Sequence, residues 1–165
     1  MFYEELFKHL NKKHIDYVVV GGVALVMHGV VRLTADLDLM LHLEEKNLRR
    51  FVDLMSELGY MPRIPVKAEG LLDVELRKQW AEEKNMLVFS FYHPRQAISL
   101  VDIFIREPLP FEEIKARAVN MKLGNLIVPV ISVEDMIGMK KTSDRPQDAE
   151  DIKSLRRLQA DEKKK

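Results

Sequence analysis

A chain of 165 residues is the size of one ordinary domain, long enough to bury a core and short for two. Its 47% hydrophobic and 32% charged residues, with 7 Gly and 7 Pro, exclude collagen-like, low-complexity and wholly disordered chains. The 26 basic and 26 acidic side chains cancel, which removes the global field of a histone-like or polybasic membrane-surface protein, and the lack of cysteine excludes a disulfide framework, a thiolate zinc site and a cysteine nucleophile.

From about residue 2 to residue 13, Phe2, Leu6, Phe7 and Leu10 recur at helical spacing between charges, which predicts an amphipathic helix and not the apolar core of a secretion signal. Residues 15–20 are β-branched and aromatic, the pattern of a strand buried on both faces. Gly21-Gly22 breaks this strand and residues 23–28 resume as a short apolar helix closed by Gly29. The run 17–27 is too short for a membrane span and contains the glycine pair, so a soluble, cytoplasmic protein with no membrane contact is expected. Residues 37–41 predict a second strand with Asp36 at its start, followed by a helix over 44–58 that Gly59 stops.

Pro62 and Pro65 imply a loop, and 71–83 reads either as a helix or as part of a longer excursion. Residues 86–92 and 98–105 are β-rich runs on either side of His93-Pro94-Arg95-Gln96, which predicts a strand pair. A helix over 111–118, a strand over 126–130, a helix over 133–142 opened by Ser132, and a last helix from Pro146 to Leu158 complete the series. One domain over 1–158 is expected, with residues 159–165 as a disordered, solvated tail.

The chemistry concentrates in Gly21-Gly22 and in the stretch Arg32-Leu33-Thr34-Ala35-Asp36-Leu37-Asp38. Residues i and i+2 of a strand share a face, so Asp36 and Asp38 project together and either raise one another's pKa or share a cation. Hard oxygen ligands in an apolar strand suit Mg²⁺ or Mn²⁺. The plain alternative is a strand cap at Asp36 and a wet sheet face at Asp38. The glycine pair tilts the balance, because it permits close backbone approach and opens a helix whose N–H groups favour a phosphate, although it also serves as a simple tight turn. Asp102 lies within the strongly apolar 99–105 and needs a metal, a cation or a hydrogen-bond network.

In this order and context the residues resemble the minimal nucleotidyltransferases of the polymerase-beta-like superfamily, most closely the branch with AbiEii-like toxins and uncharacterised single-domain relatives. The pattern is Gly-Gly after a strand, a short helix, Asp36-Leu37-Asp38 on the next strand, and Asp102 on a later one. Lys140, Arg145, Asp148 and Asp151 resemble the branch's C-terminal helical signature, so the likeness spans most of the chain. The glycine pair stands where many superfamily members carry Gly-Ser.

The resemblance implies an α/β (α+β) nucleotidyltransferase fold, with a mixed central sheet flanked by helices and with C-terminal helices. It implies Mg²⁺ (or Mn²⁺) held by Asp36 and Asp38, with Asp102 completing the acid set and open to the role of base. It also places an NTP as substrate, with its phosphates against Gly21 and Gly22, Thr34 as a further candidate, and Lys140 and Arg32 as counter-charges. The expected reaction moves a nucleoside monophosphate to a hydroxyl on RNA, protein or a small molecule and releases pyrophosphate. The competing readings are an exposed helical lysine at Lys140, an ion-pair network through Arg145, Asp148 and Asp151, and a non-catalytic nucleotide-binding module acting through an antitoxin or partner subunit. Acceptor selection is expected from residues 61–97, from the C-terminal helices or from such a partner.

Overall fold

A computed structural model describes residues 3–143 and 145–165, so Phe2 of the first expected helix lies outside the described residues. Helix α1 (Glu4–Lys12) buries Leu6, Phe7 and Leu10, with two glutamates in its first turn and His9 and Lys12 in its last, the charge order its dipole favours. Strand β1 (Tyr17–Val20) is buried at every position. It is followed by α2 (Gly21–Met27), β2 (Asp36–Leu41), α3 (Glu45–Glu57) and the two-residue β3 (Met61–Pro62). A 3₁₀ turn (Ala68–Leu72) leads to α4 (Val74–Glu83), the hairpin β4 (Val88–His93) and β5 (Gln96–Phe104), and α5 (Phe111–Arg117). The chain closes with β6 (Val119–Leu123), β7 (Leu126–Val130), α6 (Val133–Lys141) and α7 (Pro146–Lys163).

Among the described residues these strands form one mixed sheet in the order β3, β4, β5, β2, β1, β7, β6. β2 runs parallel to β5 and β1 parallel to β7, while the other neighbours are antiparallel. β2 is the central strand; its neighbour β1, Tyr17-Val18-Val19-Val20, is apolar and buried at every position, as burial on both faces requires, whereas β2 is only partly covered at Asp36 and Asp38. On one face of β4, Phe89 packs against Trp80 of α4 (ring centroids 5.6 Å apart) and Phe91 against Phe51 of α3 (5.8 Å). Strand alternation then puts Ser90 and Tyr92 of β4, and Leu100 and Asp102 of β5, on the opposite face. That face carries the polar residues.

Three expectations change. The glycine pair does not separate strand from helix but forms the first turn of α2 itself. Strand β6, where the sequence reading places nothing, pairs with β7 through Gly124-Asn125, with Gly124 at φ 59°. The last helix does not stop at Leu158. It continues to Lys163 through the stretch expected to be a disordered tail, because Gln159, Ala160, Glu162 and Lys163 are good helix formers and neither Gly nor Pro intervenes. The ambiguous 71–83 stretch is a helix from Val74, opened by the Asp73 carboxylate accepting the Leu76 N–H at 3.1 Å.

Candidate active site

Asp36 and Asp38 share a face of β2, and the parallel register sets Asp38 directly beside Asp102 of β5. Directly opposed residues of neighbouring strands project from the same face, so three carboxylates meet on the open side of the sheet. Each is only partly covered from solvent. Burial, then the charges of Asp102 and Asp36, push the Asp38 carboxyl from 3.8 up to about 7, against a hydrogen bond from the Gly22 N–H and the positive charge of Arg145. Asp102 is also raised by burial; a hydrogen bond from the Ser90 hydroxyl and the charge of Arg63 oppose this, while Asp36 adds to it. The sequence pattern that made Asp36 and Asp38 neighbours is visible in one strand, whereas the approach of Asp102 depends on the pairing of strands about sixty residues apart.

The glycine pair is needed for space as well as for conformation. Gly21 has φ +67°, and a Cβ there would lie 2.1 Å from Asp38 Oδ2. A Cβ on Gly22 would lie 2.5 Å from Thr34 Oγ1, so Thr34 is packed against the same turn. Gly21→Ala is therefore expected to destabilise the fold by about 1–3 kcal/mol and to displace Asp38. Denaturant unfolding of the variant checks it, and an unchanged midpoint would contradict the packing just described.

The basic residues expected to meet phosphate are brought to this flank but are paired. Arg32 Nη1 donates to Asp151 Oδ2 at 2.5 Å, and Lys140 Nζ donates to Asp151 Oδ2 at 2.8 Å and Asp148 Oδ1 at 3.1 Å. Arg145 Nε donates to Asp148 Oδ2 at 3.1 Å. Burial pushes the Asp148 carboxyl up, but hydrogen bonds from Ser143, Lys140 and Arg145 outweigh it and hold it below the usual carboxylate range. Arg32 Nε is buried with no hydrogen-bond partner among the described residues, so this guanidinium keeps an unused donor.

Three contributors escaped the sequence reading. Ser90 and Arg63 reach the acids only through the pairing of β3, β4 and β5. Tyr3 is buried, and its hydroxyl bonds the carbonyls of Ala35 and Leu100, tying the start of β2 to β5 beside Asp36. Burial pushes its phenol up to about 12, helped by Tyr60 and by the Asp36 and Asp38 charges and opposed by the Leu100 bond. For Ser90 the only signal was a lone small polar residue inside the apolar Val88–His93 run; for Tyr3 there was none.

The donor set fits a hard divalent cation. It offers carboxylate oxygens alone, and burial followed by the charges of Asp102 and Asp36 raises the Asp38 carboxyl, a cost to the charged form that such a cation offsets. Among the described residues no group of three or more His, Cys, Asp or Glu side chains is placed to hold a metal ion by itself. Mg²⁺ does not require such a group, since it usually binds through one or two carboxylates together with substrate phosphates and waters.

A mixed sheet with a glycine turn on one central strand and paired acids on the next defines a nucleotidyltransferase fold. The chain is similar to the lincosamide antibiotic adenylyltransferase LnuA in its lincomycin-bound form, with a TM-score of 0.60 and 15% identity over 95% of this chain and 94% of that one. It is also similar to an antigenic nucleotidyltransferase-like protein from Paracoccidioides brasiliensis, with a TM-score of 0.58 and 15% identity over 91% of this chain and 71% of that one. At this identity the likeness concerns the fold. The chain belongs to the family described as nucleotidyl transferase AbiEii toxin of type IV toxin–antitoxin systems, whose pattern matches residues 6–156. No curated protein matches it by sequence. No helix among the described residues is long and apolar enough to cross a membrane.

Proposed function

We propose that this protein transfers a nucleoside monophosphate from an NTP to a hydroxyl acceptor, with release of pyrophosphate, and that the transfer depends on Mg²⁺ or Mn²⁺. The observation that carries this reading is the β2/β5 register, which sets Asp38 against Asp102 with Asp36 on the same face and the Gly21 turn against Asp38. Asp36 and Asp38 would hold the cation, which when bound supplies charge neutralisation along the phosphates and lowers the pKa of an attacking hydroxyl. Asp102, raised above the usual carboxylate range, is suited to take the proton of that hydroxyl. Gly21 and Gly22 leave the backbone open to the phosphates, and Thr34 stands beside them. Arg32 and Lys140 are the proposed counter-charges, each now paired with a carboxylate of α7. The family description supports an antitoxin as the protein's counterpart.

The test is incubation with α-labelled NTPs, Mg²⁺ or Mn²⁺ and cell extract as the source of acceptor. Label should pass to an acceptor with the native protein and fall by at least about a thousandfold with Asp36→Ala or Asp38→Ala. Transfer that survives both substitutions would overturn the assignment.

A second reading, a nucleotide-binding module without transfer activity, is favoured by one observation. Lys140 is engaged by Asp148 and Asp151 and Arg32 by Asp151, and each would have to exchange a carboxylate for a phosphate. A rise in melting temperature with ATP and Mg²⁺, without transfer to any acceptor, would select that reading.

A further inference from the structure

The antiparallel register of β3 and β4 pairs Met61 with Tyr92 and Pro62 with Phe91, and the Arg63 N–H continues the ladder by donating to the Ser90 carbonyl at 2.9 Å. Ser90 pairs with Asp102, and Asp102 with Asp38. Arg63, Ser90, Asp102 and Asp38 therefore form one row across the open face of the sheet, and Met61, Tyr92, Leu100 and Asp36 form the row beside it. Neighbouring strands are about 4.8 Å apart, so Arg63 begins about 10 Å from Asp102, within reach of its long side chain. Its charge is felt at Asp102.

Arg63 differs from the other cations around the acids. Arg32, Lys140 and Arg145 are each paired with a carboxylate, whereas Arg63 is exposed and makes no ion pair or side-chain hydrogen bond among the described residues. Beside it the sheet shows water an apolar strip: Ile98 is 63% exposed, Met61 49% and Tyr92 36%. Ile98 and Leu100 share this face by alternation. An apolar strip with a free guanidinium at its border, next to acids, is suited to a ligand with a flat apolar body and an oxyanion.

In-line transfer says which ligand belongs there. The attacking oxygen and the leaving pyrophosphate lie on opposite sides of the transferred phosphorus. The glycine turn follows β1, whose Val20 pairs with Asp38, and Thr34 packs against Gly22, so a triphosphate held at this turn leaves the β5 and β4 side to the acceptor. This step rests on the function proposed above. We infer that the open face of β3, β4 and β5 is the acceptor subsite, where Arg63 takes an oxyanion of the acceptor and Tyr92 and Met61 carry its ring, directing its hydroxyl toward Asp102.

The test is an amide chemical-shift titration of the full chain with phenyl phosphate, and with benzyl alcohol as the uncharged control, each run with and without Mg²⁺ and a nonhydrolysable ATP analogue. Phenyl phosphate should give saturable shifts at Ser90, Tyr92 and Asp102, and benzyl alcohol far weaker ones. Arg63→Gln should weaken phenyl phosphate by about tenfold, and Tyr92→Ser should weaken it as well. Both side chains are at the surface, so the variants should melt with the native protein, and a melting scan confirms that any loss is local. The inference is overturned if no saturable shift occurs on this face, if shifts centre on Gly22 and Lys140 instead, or if Arg63→Gln leaves the affinity unchanged. Shifts at Gly22 and Thr34 on adding the metal and nucleotide report separately on the nucleotide reading, so failure of one is distinguishable from failure of the other.

Discussion

Asp38→Asn should abolish nucleotidyl transfer and at the same time stabilise the metal-free fold at pH 8 by about 1–2 kcal/mol. The loss of transfer follows from removing a charged oxygen that the cation and phosphates need. The gain in stability follows from the carboxyl's surroundings: burial and the charges of Asp102 and Asp36 raise it from 3.8 to about 7. Asparagine keeps a carbonyl oxygen for the Gly22 N–H and carries no charge. A shift of this size corresponds to at most about 4 kcal/mol, and the contact that Asp38 retains with solvent reduces what is realised.

The pH dependence gives the prediction a second arm. Between about pH 4 and pH 7 the folded protein holds a proton on Asp38 that the unfolded chain has released, so this group's contribution to stability falls as pH rises across that window and is level above it. The advantage of Asp38→Asn should therefore be near zero at pH 4, grow toward pH 7 and stay constant beyond. Added Mg²⁺ should narrow it by stabilising the native protein and not the variant. Urea unfolding at pH 4, 6 and 8 measures all three points. A variant less stable than the native protein at pH 8 without metal would show that Asp38 is not under the repulsion described.

Much of this centre was legible in the sequence because its parts are local. The i, i+2 spacing of Asp36 and Asp38 fixes their common face whatever the rest of the chain does, and a carboxylate inside the apolar 99–105 run demands a partner wherever it lies. Long periodic segments such as α3, and capped ones such as α6, where Ser132 accepts the Asp135 N–H, carry their own start signals. The missed parts are those fixed by strand pairing. Ser90 and Arg63 belong to the site only because β3, β4 and β5 are in register, and no residue of either segment announces that register. Strand β6 was legible in principle, since Leu123-Gly124-Asn125-Leu126 offers a two-residue hairpin turn between apolar neighbours. Its single alternating run, Val119-Asn120-Met121-Lys122-Leu123, is half exposed and carries no apolar stretch to draw attention to it.

Asp151→Asn should cost about 3 kcal/mol of stability and lower the melting temperature by about 6–12 °C, the largest structural effect expected of any single substitution near the site. Asp151 is 6% exposed and holds two cations on one oxygen, Arg32 from the loop before β2 and Lys140 from α6. Asparagine would leave Lys140 with Asp148 alone and Arg32 with no carboxylate, while Arg32 Nε already lacks a partner. Because the three side chains are largely covered, the loss should persist at 1 M salt, where exposed pairs such as Arg49 with Glu45 no longer matter. Arg145→Ala provides the contrast. Its side chain is 78% exposed, so losing its bond to Asp148 should cost no more than about 1 kcal/mol. A cycle combining Asp151→Asn with Lys140→Met separates the pair from its surroundings. The double variant should recover part of the loss, because removing the cation removes the unpaired charge. If Asp151→Asn melts with the native protein, the cluster does not hold α6 and α7 against the Arg32 loop, and the positions of Arg32, Thr34 and Lys140 beside the glycine turn must depend on packing alone.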